Sequence, residues 1–149
     1  MNPIKFALIG AGMIGELHAK VISNMKGADL VAVCSHDLDR AKRLTDLYGG
    51  EPTTDFDSLI AREDVDAITI CTASGEHALY GIPAAQAGKH VMVEKPVALH
   101  RREAEAVLRA QQDSGRRISS NLILRESPRF IELRGQIACG EFGDIFCIE

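Results

Sequence analysis

Short apolar runs alternate along the chain with longer segments in which apolar and polar residues mix. A continuously apolar run such as Leu30–Cys34 is typical of a strand that is buried on both faces of a parallel sheet. In the longer segments the apolar residues return every three or four positions, which is the spacing of one helix face. The alternation predicts an α/β fold, in which a doubly wound parallel sheet of roughly six strands carries helices on both faces.

The pattern also predicts where the individual elements lie. Strands are predicted at residues Ile4–Ile9, Asp29–Cys34, Thr53–Thr54, Ala67–Cys71, His90–Glu94 and Ile118–Leu124. Helices are predicted at residues 14–25, 38–48, 56–62 and 101–113, in a segment that contains Pro83 and ends near Gly88, and from Pro128 to Gly140. The residues Asp144–Glu149 predict a further strand, for which the chain offers no partner.

A glycine motif follows the first strand directly. Gly10 permits the tight turn off the strand, Gly12 lets the backbone approach a pyrophosphate, and Gly15 lets the next helix pack close to the sheet. The amides of Met13 and Ile14 then belong to the free N–H groups of that helix N-terminus, which attract an anion. Glycines also serve plain tight turns, but the strand-turn-helix setting favours a phosphate site.

Size, charge and cysteine spacing exclude several classes of protein. The 149 residues, 46% of them hydrophobic, suffice for one complete core. A formal net charge of -4 argues against a nucleic-acid partner. The apolar runs are too short to span a membrane, so we expect a soluble, cytoplasmic protein. The cysteines are spaced unlike metal ligands and lie beside apolar residues, which predicts buried thiols at Cys34, Cys71, Cys139 and Cys147.

The end of the second strand bears on the choice between NAD and NADP. An NAD site usually has a carboxylate there, whereas this chain has Ser35, which does not repel a 2′-phosphate. His36 and Arg40 are expected to offer a stacking surface and a cation to that phosphate, which favours NADP. Asp37 is either a ribose ligand or, by preference, the N-cap of the next helix. Arg40 is equally well explained as a solvated charge on a helix face.

Polar residues also follow the later strands, where ligands bind in an open parallel sheet. The candidates for cofactor contacts in this group are Thr72, Ala73, Ser74, His77, Glu94, Lys95, Pro96 and Asn121. Lys95 is the candidate catalytic residue, because its ammonium can hydrogen-bond the oxygen of a carbonyl or hydroxyl substrate, and Glu94 is expected to hold it in place. A plain surface turn at Lys95-Pro96 and an ordinary part-buried His77 are the alternatives, and His18 is expected to be structural.

Taken together, these motifs resemble those of the glucose-fructose oxidoreductase, inositol dehydrogenase and MocA-type family of NAD(P)-dependent oxidoreductases. The resemblance rests on the segments Gly10–Gly15, Leu30–Val33, Asp39–Ala41, Ser74–His77, Ala87–Val91, Glu94–Pro96 and Gly140–Ile145. It implies a Rossmann-type dinucleotide-binding domain over residues 1–123, followed in residues 124–149 by a connecting helix and the first strand of a second domain. It also implies that Lys95 assists hydride transfer at a carbon of a sugar, polyol or nucleotide sugar.

The resemblance has further implications for the complete protein. Family members continue into a second α/β domain that supplies substrate contacts and a catalytic histidine, so this chain alone is expected to be catalytically incomplete. The sequence departs from the family pattern at Ser35, where an acidic residue is frequent, and at Ala73, where proline is common. An unpaired terminal strand is expected either to be disordered or to pair with another chain, which favours a homo-oligomer. A non-catalytic module that senses nucleotides or scaffolds a partner is the alternative function.

Overall fold

The computed structural model describes residues 2–147 and places the strands in a single sheet. In chain order the strands are β1 Ile4–Ile9, β2 Ala28–Cys34, β3 Glu51–Thr53, β4 Ala67–Ile70, β5 His90–Glu94 and β6 Ile118–Asn121. The helices are α1 Met13–Asn24, α2 Leu38–Tyr48, α3 Phe56–Ala61, α4 His77–Gln86, α5 Arg101–Ser114 and α6 Pro128–Ala138. Most strands are followed by a helix, as the sequence pattern predicts.

The sheet has six strands in the order β3-β2-β1-β4-β5-β6, and every neighbouring pair is parallel. The chain builds outward from β1 to β2 and β3, then crosses to the other side of β1 with β4. Because the direction of winding reverses between β1 and β4, the loops after these strands diverge and leave a crevice at the carboxyl edge of the sheet. The order confirms the predicted Rossmann-type doubly wound α/β fold.

Two hydrophobic clusters cover the two faces of the sheet. Successive side chains of β1 point to opposite faces, so Leu8 joins one cluster and Ile9 the other. Leu8 shares its cluster with Leu44 of α2, and Ile9 shares its cluster with Leu59 of α3. Burying each such side chain contributes about 2 kcal/mol. The clusters hold β1 rigidly at the centre, and the loop that follows it inherits this fixed position.

The capping residues of α2 explain why its predicted and observed bounds agree. The Asp37 carboxylate accepts hydrogen bonds from the backbone N–H groups of Asp39 and Arg40, at 3.0 and 3.2 Å. At the other end, Gly49 and Gly50 adopt φ values of 92° and 91°. This left-handed region is open to glycine and ends the helix. The geometry therefore supports the interpretation of Asp37 as an N-cap.

The predicted strand to Leu124 is too long, because β6 ends at Asn121. β6 lies at the edge of the sheet and pairs only with β5, and the last paired residues are Glu94 and Asn121. Beyond them β5 offers no further backbone groups, so the apolar residues that follow have no strand to pair with. They form a 3-10 turn over Ile123–Glu126 instead.

The expectation of buried thiols holds fully for Cys34 alone. Cys71 is half-buried, whereas Cys139 and Cys147 are exposed, because no other element of residues 2–147 packs over them. Burial raises the pKa of Cys34 to about 11. Burial likewise raises the pKa of Cys71 to about 12. Both thiols therefore stay protonated near neutral pH and are poor nucleophiles.

The terminal strand expected at Asp144–Glu149 is not formed over residues 144–147. A strand needs a partner edge, and none of the described strands supplies one to this segment. The two remaining positions of the expected strand, 148 and 149, lie outside the described residues. Within residues 2–147, no helix has the length and apolar character needed to cross a bilayer.

Candidate functional site

The turn after β1 requires glycine at two positions. Gly10 has a φ of 99°, and a Cβ atom on it would lie 2.6 Å from the carbonyl oxygen of Cys71. A Cβ atom on Gly15 would lie 1.9 Å from the carbonyl oxygen of Gly10. Neither position can accept a side chain, because the obstructing atoms belong to the backbone. The turn thus brings the first turn of α1 into backbone contact with the end of β1.

Gly12 is free of any such packing constraint. A Cβ atom on it would meet nothing within 4 Å, although Gly12 caps α1 and lies between the two crowded glycines. No side chain caps the helix here, and the first intrahelical bond runs from the Glu16 amide to the Gly12 carbonyl, at 2.9 Å. The amides from Met13 to Gly15 precede that bond, so they have no partner in the helix. Open space therefore faces a row of free donors at the positive end of the helix dipole.

Ser35 is only 6% exposed at the end of β2. Its amide donates to the Thr53 carbonyl at 3.0 Å, and its hydroxyl oxygen accepts from the Asp37 amide at 3.2 Å. His36 is exposed beside it, and Arg40 lies exposed on α2, with its Nε atom 3.2 Å from the Asp37 carboxylate. The hydroxyl of Ser35 thus shapes the turn into α2, while the cation of Arg40 remains accessible to solvent.

A cavity of about 170 Å³ connects the glycine turn with the end of β2. Gly10, Ser35, His36 and Thr72, all predicted site residues, contribute to its wall. The Thr72 hydroxyl is buried and has no hydrogen-bond partner among the described residues. An unpartnered buried hydroxyl is rare in a folded protein and is explained when a ligand completes its hydrogen bonding. Arg40 does not line this cavity.

Some residues of the cavity wall were missed by the sequence analysis. They are Thr54, Phe56, Glu76 and Tyr80. Thr54 follows β3 at the same edge of the sheet as the other site residues, so its position directly after a strand could have identified it as a site residue. Glu76 and Tyr80 are four positions apart and so share one side of the start of α4. Their proximity to Ser35 follows only from the packing of α4 on the sheet.

Lys95 lies exposed just after β5, and its peptide bond to Pro96 is cis. The Glu94 carboxylate accepts a hydrogen bond from the backbone N–H of Lys95, at 3.2 Å. Among residues 2–147, no carboxylate pairs with the Lys95 ammonium. Glu94 thus holds Lys95 through the backbone N–H and leaves the ammonium open to solvent.

Glu94 belongs to a hydrogen-bonded group, which we call the Glu94 network: His18, Thr69, Glu94 and Asn121. His18 Nε2 lies 3.0 Å and Asn121 Nδ2 2.5 Å from the same carboxylate oxygen, Oε1 of Glu94. The other ring nitrogen of His18 lies 2.9 Å from the Thr69 hydroxyl. Burial raises the pKa of Glu94, but the hydrogen bonds from Asn121 and His18 outweigh it, and the pKa lies below its ordinary value. Glu94 is therefore ionised near neutral pH.

The sequence predicts a structural place for His18 but does not identify its partners. Its ring joins α1 to the ends of β4 and β5, and its side chain is only 11% exposed. Asn121, by contrast, was predicted as a cofactor contact, and its amide is used within the Glu94 network. The position of His18 on α1, three residues after Gly15, indicated that it lies near the glycine turn. Its partners could not be inferred, because they come from distant parts of the chain.

His77 is 2% exposed, and both of its ring nitrogens face backbone carbonyls. Nδ1 lies 2.6 Å from the Pro96 oxygen and Nε2 lies 3.2 Å from the Thr72 oxygen. The ring thus ties the loop after β4 to the loop after β5, which favours the alternative of a buried histidine. Ala73 and Ser74 are exposed in the loop between them.

The predicted residues fall into two groups at the carboxyl edge of the sheet. The glycine turn, Ser35, His36 and Thr72 surround the cavity, and the residues from Glu94 to Pro96 follow the neighbouring strands together with Asn121 and His77. Arg40 lies apart on α2. Among the described residues, no group of three or more histidine, cysteine or acidic side chains is placed to hold a metal ion.

Comparison with known proteins identifies relatives that have this same domain. The family described as "Oxidoreductase family, NAD-binding Rossmann fold" (GFO_IDH_MocA) matches residues 4–122. An inositol 2-dehydrogenase of Rhizobium meliloti (strain 1021) is 34% identical over 142 residues, which cover 95% of this chain and 43% of that protein. A dTDP-3,4-didehydro-2,6-dideoxy-alpha-D-glucose 3-reductase of Actinomadura kijaniata is 31% identical over 145 residues, covering 97% of this chain and 44% of that protein.

Solved structures include a protein of the same fold with a bound cofactor. A 3-ketoreductase from Actinomadura kijaniata, in complex with NADP, superposes with a TM-score of 0.90 and 30% identity, over 97% of this chain and 46% of that one. The chain thus spans less than half the length of the relatives it matches. With 119 of its residues, from 4 to 122, matched by the family, this chain belongs to the GFO_IDH_MocA oxidoreductase family, which has an NAD-binding Rossmann fold.

Proposed function

We propose that this chain is the cofactor-binding domain of an oxidoreductase that transfers a hydride between NAD(P) and a sugar, polyol or nucleotide sugar, at a carbon that bears a hydroxyl group. The observation that carries the proposal is the open space at Gly12, which faces the free amides of α1. Relatives named for inositol and for a dTDP-linked sugar support the substrate class.

The residues at the crevice fit a nicotinamide dinucleotide. The amides of Met13, Ile14 and Gly15 would hold the diphosphate, because a helix N-terminus stabilises negative charge and Gly12 leaves room for close approach. The cavity beside Ser35 would take the adenosine end. The unpartnered Thr72 hydroxyl would gain a hydrogen-bond partner from the bound cofactor.

We propose a preference for NADP at the adenosine end. Ser35 contributes no negative charge where NAD sites usually carry a carboxylate. The guanidinium of Arg40 is exposed in the first turn of α2, and it would pair with a 2′-phosphate after leaving the Asp37 carboxylate. That ion pair is open to solvent, so exchanging it for a phosphate costs little.

Lys95 is the residue to which we assign proton transfer. A nicotinamide ring held beside it would supply the carbon that accepts or donates the hydride. In the reductive direction, the Lys95 ammonium gives a proton to the carbonyl oxygen as the adjacent carbon gains a hydride. In the oxidative direction, the neutral amine takes the proton of the hydroxyl. The exposed ammonium, unpaired with any carboxylate of residues 2–147, is free for this contact.

The loops around Lys95 would form the wall for the nicotinamide half. Ala73 and Ser74 are exposed on one side, and Pro96 is exposed on the other. His77 ties these two loops together through its contacts with Thr72 and Pro96. We therefore assign His77 to holding the walls of the site, with the direct cofactor contacts coming from the exposed loop residues.

Residues 1–123 form the dinucleotide-binding domain in this proposal, and residues 124–149 lead into a second domain. Asn121 is the last residue of the sheet, and none of residues 122–147 is buried. Substrate contacts and the second proton-transfer group would then come from that other domain. This chain by itself would bind the cofactor without completing the reaction.

We also propose that the protein self-associates through its C-terminal segment. Exposed large apolar side chains concentrate there, among them Phe130, Ile131, Phe142 and Phe146. Apolar clusters of this kind mark interaction surfaces.

Light scattering should show that the chain is larger than a monomer and that removing residues 144–149 shifts it toward the monomer. A monomeric full chain would refute the proposal.

Replacing Gly12 by alanine tests the diphosphate site directly. The added methyl group meets no protein atom, so the melting temperature should fall by no more than about 5 °C. It occupies the space of the diphosphate, so the Kd for NADP should rise at least about tenfold. Calorimetric titration measures the Kd for NAD and the Kd for NADP. Gly135→Ala, which also meets open space but lies in α6, is the matched control and should leave the Kd unchanged.

Replacing Arg40 by alanine tests the adenosine preference. The variant should weaken NADP binding about tenfold and leave NAD binding unchanged, because only NADP carries the 2′-phosphate. Lys42→Ala removes an exposed cation from the same helix and should alter neither Kd. Equal losses for both nucleotides, or a tighter Kd for NAD in the unmodified chain, would contradict the assignment.

Replacing Lys95 by alanine tests the reaction. The variant should keep the Kd for NADPH within about twofold, because Lys95 acts on the substrate oxygen. In a form of the protein that includes a substrate-binding domain, kcat should fall at least about a hundredfold. The exposed Lys26→Ala is the control. A protein that binds the nucleotide but turns over no polyol or sugar with or without Lys95 would favour the sensing function instead.

A further inference from the structure

The Glu94 network is a largely buried polar group that joins one helix to three strands, with Thr69 fully buried and the other members part-buried. His18 comes from α1, Thr69 from β4, Glu94 from the end of β5 and Asn121 from the end of β6. Buried carboxylates are costly unless they are hydrogen-bonded, and this one accepts from three directions. The network therefore has a fixed arrangement rather than a loose one.

The proton positions in the network follow from its acceptors. The ionised Glu94 carboxylate can only accept, so the His18 nitrogen that faces it, Nε2, carries a proton. The Nδ1 atom lies 2.9 Å from the Thr69 hydroxyl, which can either donate or accept a hydrogen bond. Each ring nitrogen thus has a suitable partner. The ring cannot turn over without losing both hydrogen bonds.

The two carboxylate oxygens of Glu94 accept hydrogen bonds from different donors. His18 and Asn121 both donate to Oε1, while Oε2 accepts the backbone N–H of Lys95 at 3.2 Å. Without its two donors, the carboxylate would be free to swing toward the neighbouring ammonium of Lys95. The ammonium would then be paired with Glu94 instead of facing the crevice.

We propose that His18 and Asn121 are positioning residues, which hold the Glu94 carboxylate so that it fixes the Lys95 backbone and leaves the Lys95 ammonium free. The catalytic meaning of this role rests on the proposed function, but the positioning itself does not. A second anchor lies just beyond, where His77 Nδ1 contacts the Pro96 carbonyl at 2.6 Å. Lys95 is thus held from both sides of its peptide bond to Pro96.

Amide hydrogen exchange tests the positioning without any nucleotide. In His18→Leu, both ring hydrogen bonds are lost, and exchange at the Lys95 amide should become about tenfold faster. Exchange at the Val91 amide, which donates to the Arg117 carbonyl in the same strand region, should not change. His18→Gln restores a donor near the Glu94 carboxylate and should recover part of the protection. His100→Leu removes an exposed histidine whose side chain makes no capping hydrogen bond and is the control.

Nucleotide binding provides the second readout. Because Lys95 acts on the substrate oxygen, His18→Leu should leave the Kd values of NADPH and of adenosine 2′,5′-bisphosphate within about twofold of those of the unmodified chain. If neither probe binds to the unmodified chain, the proposed function fails while the exchange result still decides the positioning. If Lys95 exchange is the same in all variants, the positioning proposal is overturned.

A second variant covers the case in which His18→Leu does not fold. Asn121→Ala removes the other side-chain donor to Glu94 from a residue at the edge of the sheet, where a smaller side chain is easily accommodated. It should also speed exchange at Lys95 relative to Val91. Unchanged exchange at Lys95 in this folded variant would equally overturn the proposal.

Discussion

The close approach of backbone segments at the end of β1 is the constraint on which the site depends. The Cys71 carbonyl occupies the place of a side chain on Gly10, and the Gly10 carbonyl occupies that of a side chain on Gly15. Only glycine permits both contacts, and together they set α1 directly against the strand ends. Between these two crowded positions, a Cβ atom on Gly12 would meet nothing within 4 Å. The free amides of α1 are thereby aimed at the crevice where the winding of the sheet reverses.

Some polar groups at this edge of the sheet have hydrogen-bond partners in the protein and others do not. The two kinds have different roles. Glu94 accepts hydrogen bonds from protein donors and His77 contacts two backbone carbonyls, and both residues connect the loops after β4 and β5. The α1 amides and the Thr72 hydroxyl lack such partners among the described residues. A buried hydroxyl without a partner, such as that of Thr72, is costly, and a ligand or a water molecule would complete its hydrogen bonding. The groups with protein partners hold the loops in place, and those without partners lie at the crevice.

Local signals explain which features the sequence predicted well. The bounds of α2 follow from Asp37 and the glycine pair after it, and those of β5 from its apolar run before Lys95-Pro96. The end of β6 was misplaced because its apolar residues continue while its partner strand stops at Glu94. His18 was expected to be structural, but its partners could not be identified from the sequence, because they are 51 or more positions away along the chain. The prediction succeeded where one element decides the outcome and was incomplete where packing between elements decides it.

The most direct test follows the backbone amides of α1 in proton–nitrogen correlation NMR spectra while NADP is added. We predict that the amides of Met13, Ile14 and Gly15 show the largest shifts and saturate together with the calorimetric binding curve. The same titration with nicotinamide mononucleotide, which lacks the diphosphate bridge, should shift them much less. The central claim would be contradicted if NADP bound while these three amides kept their positions, or if no nucleotide moved any resonance.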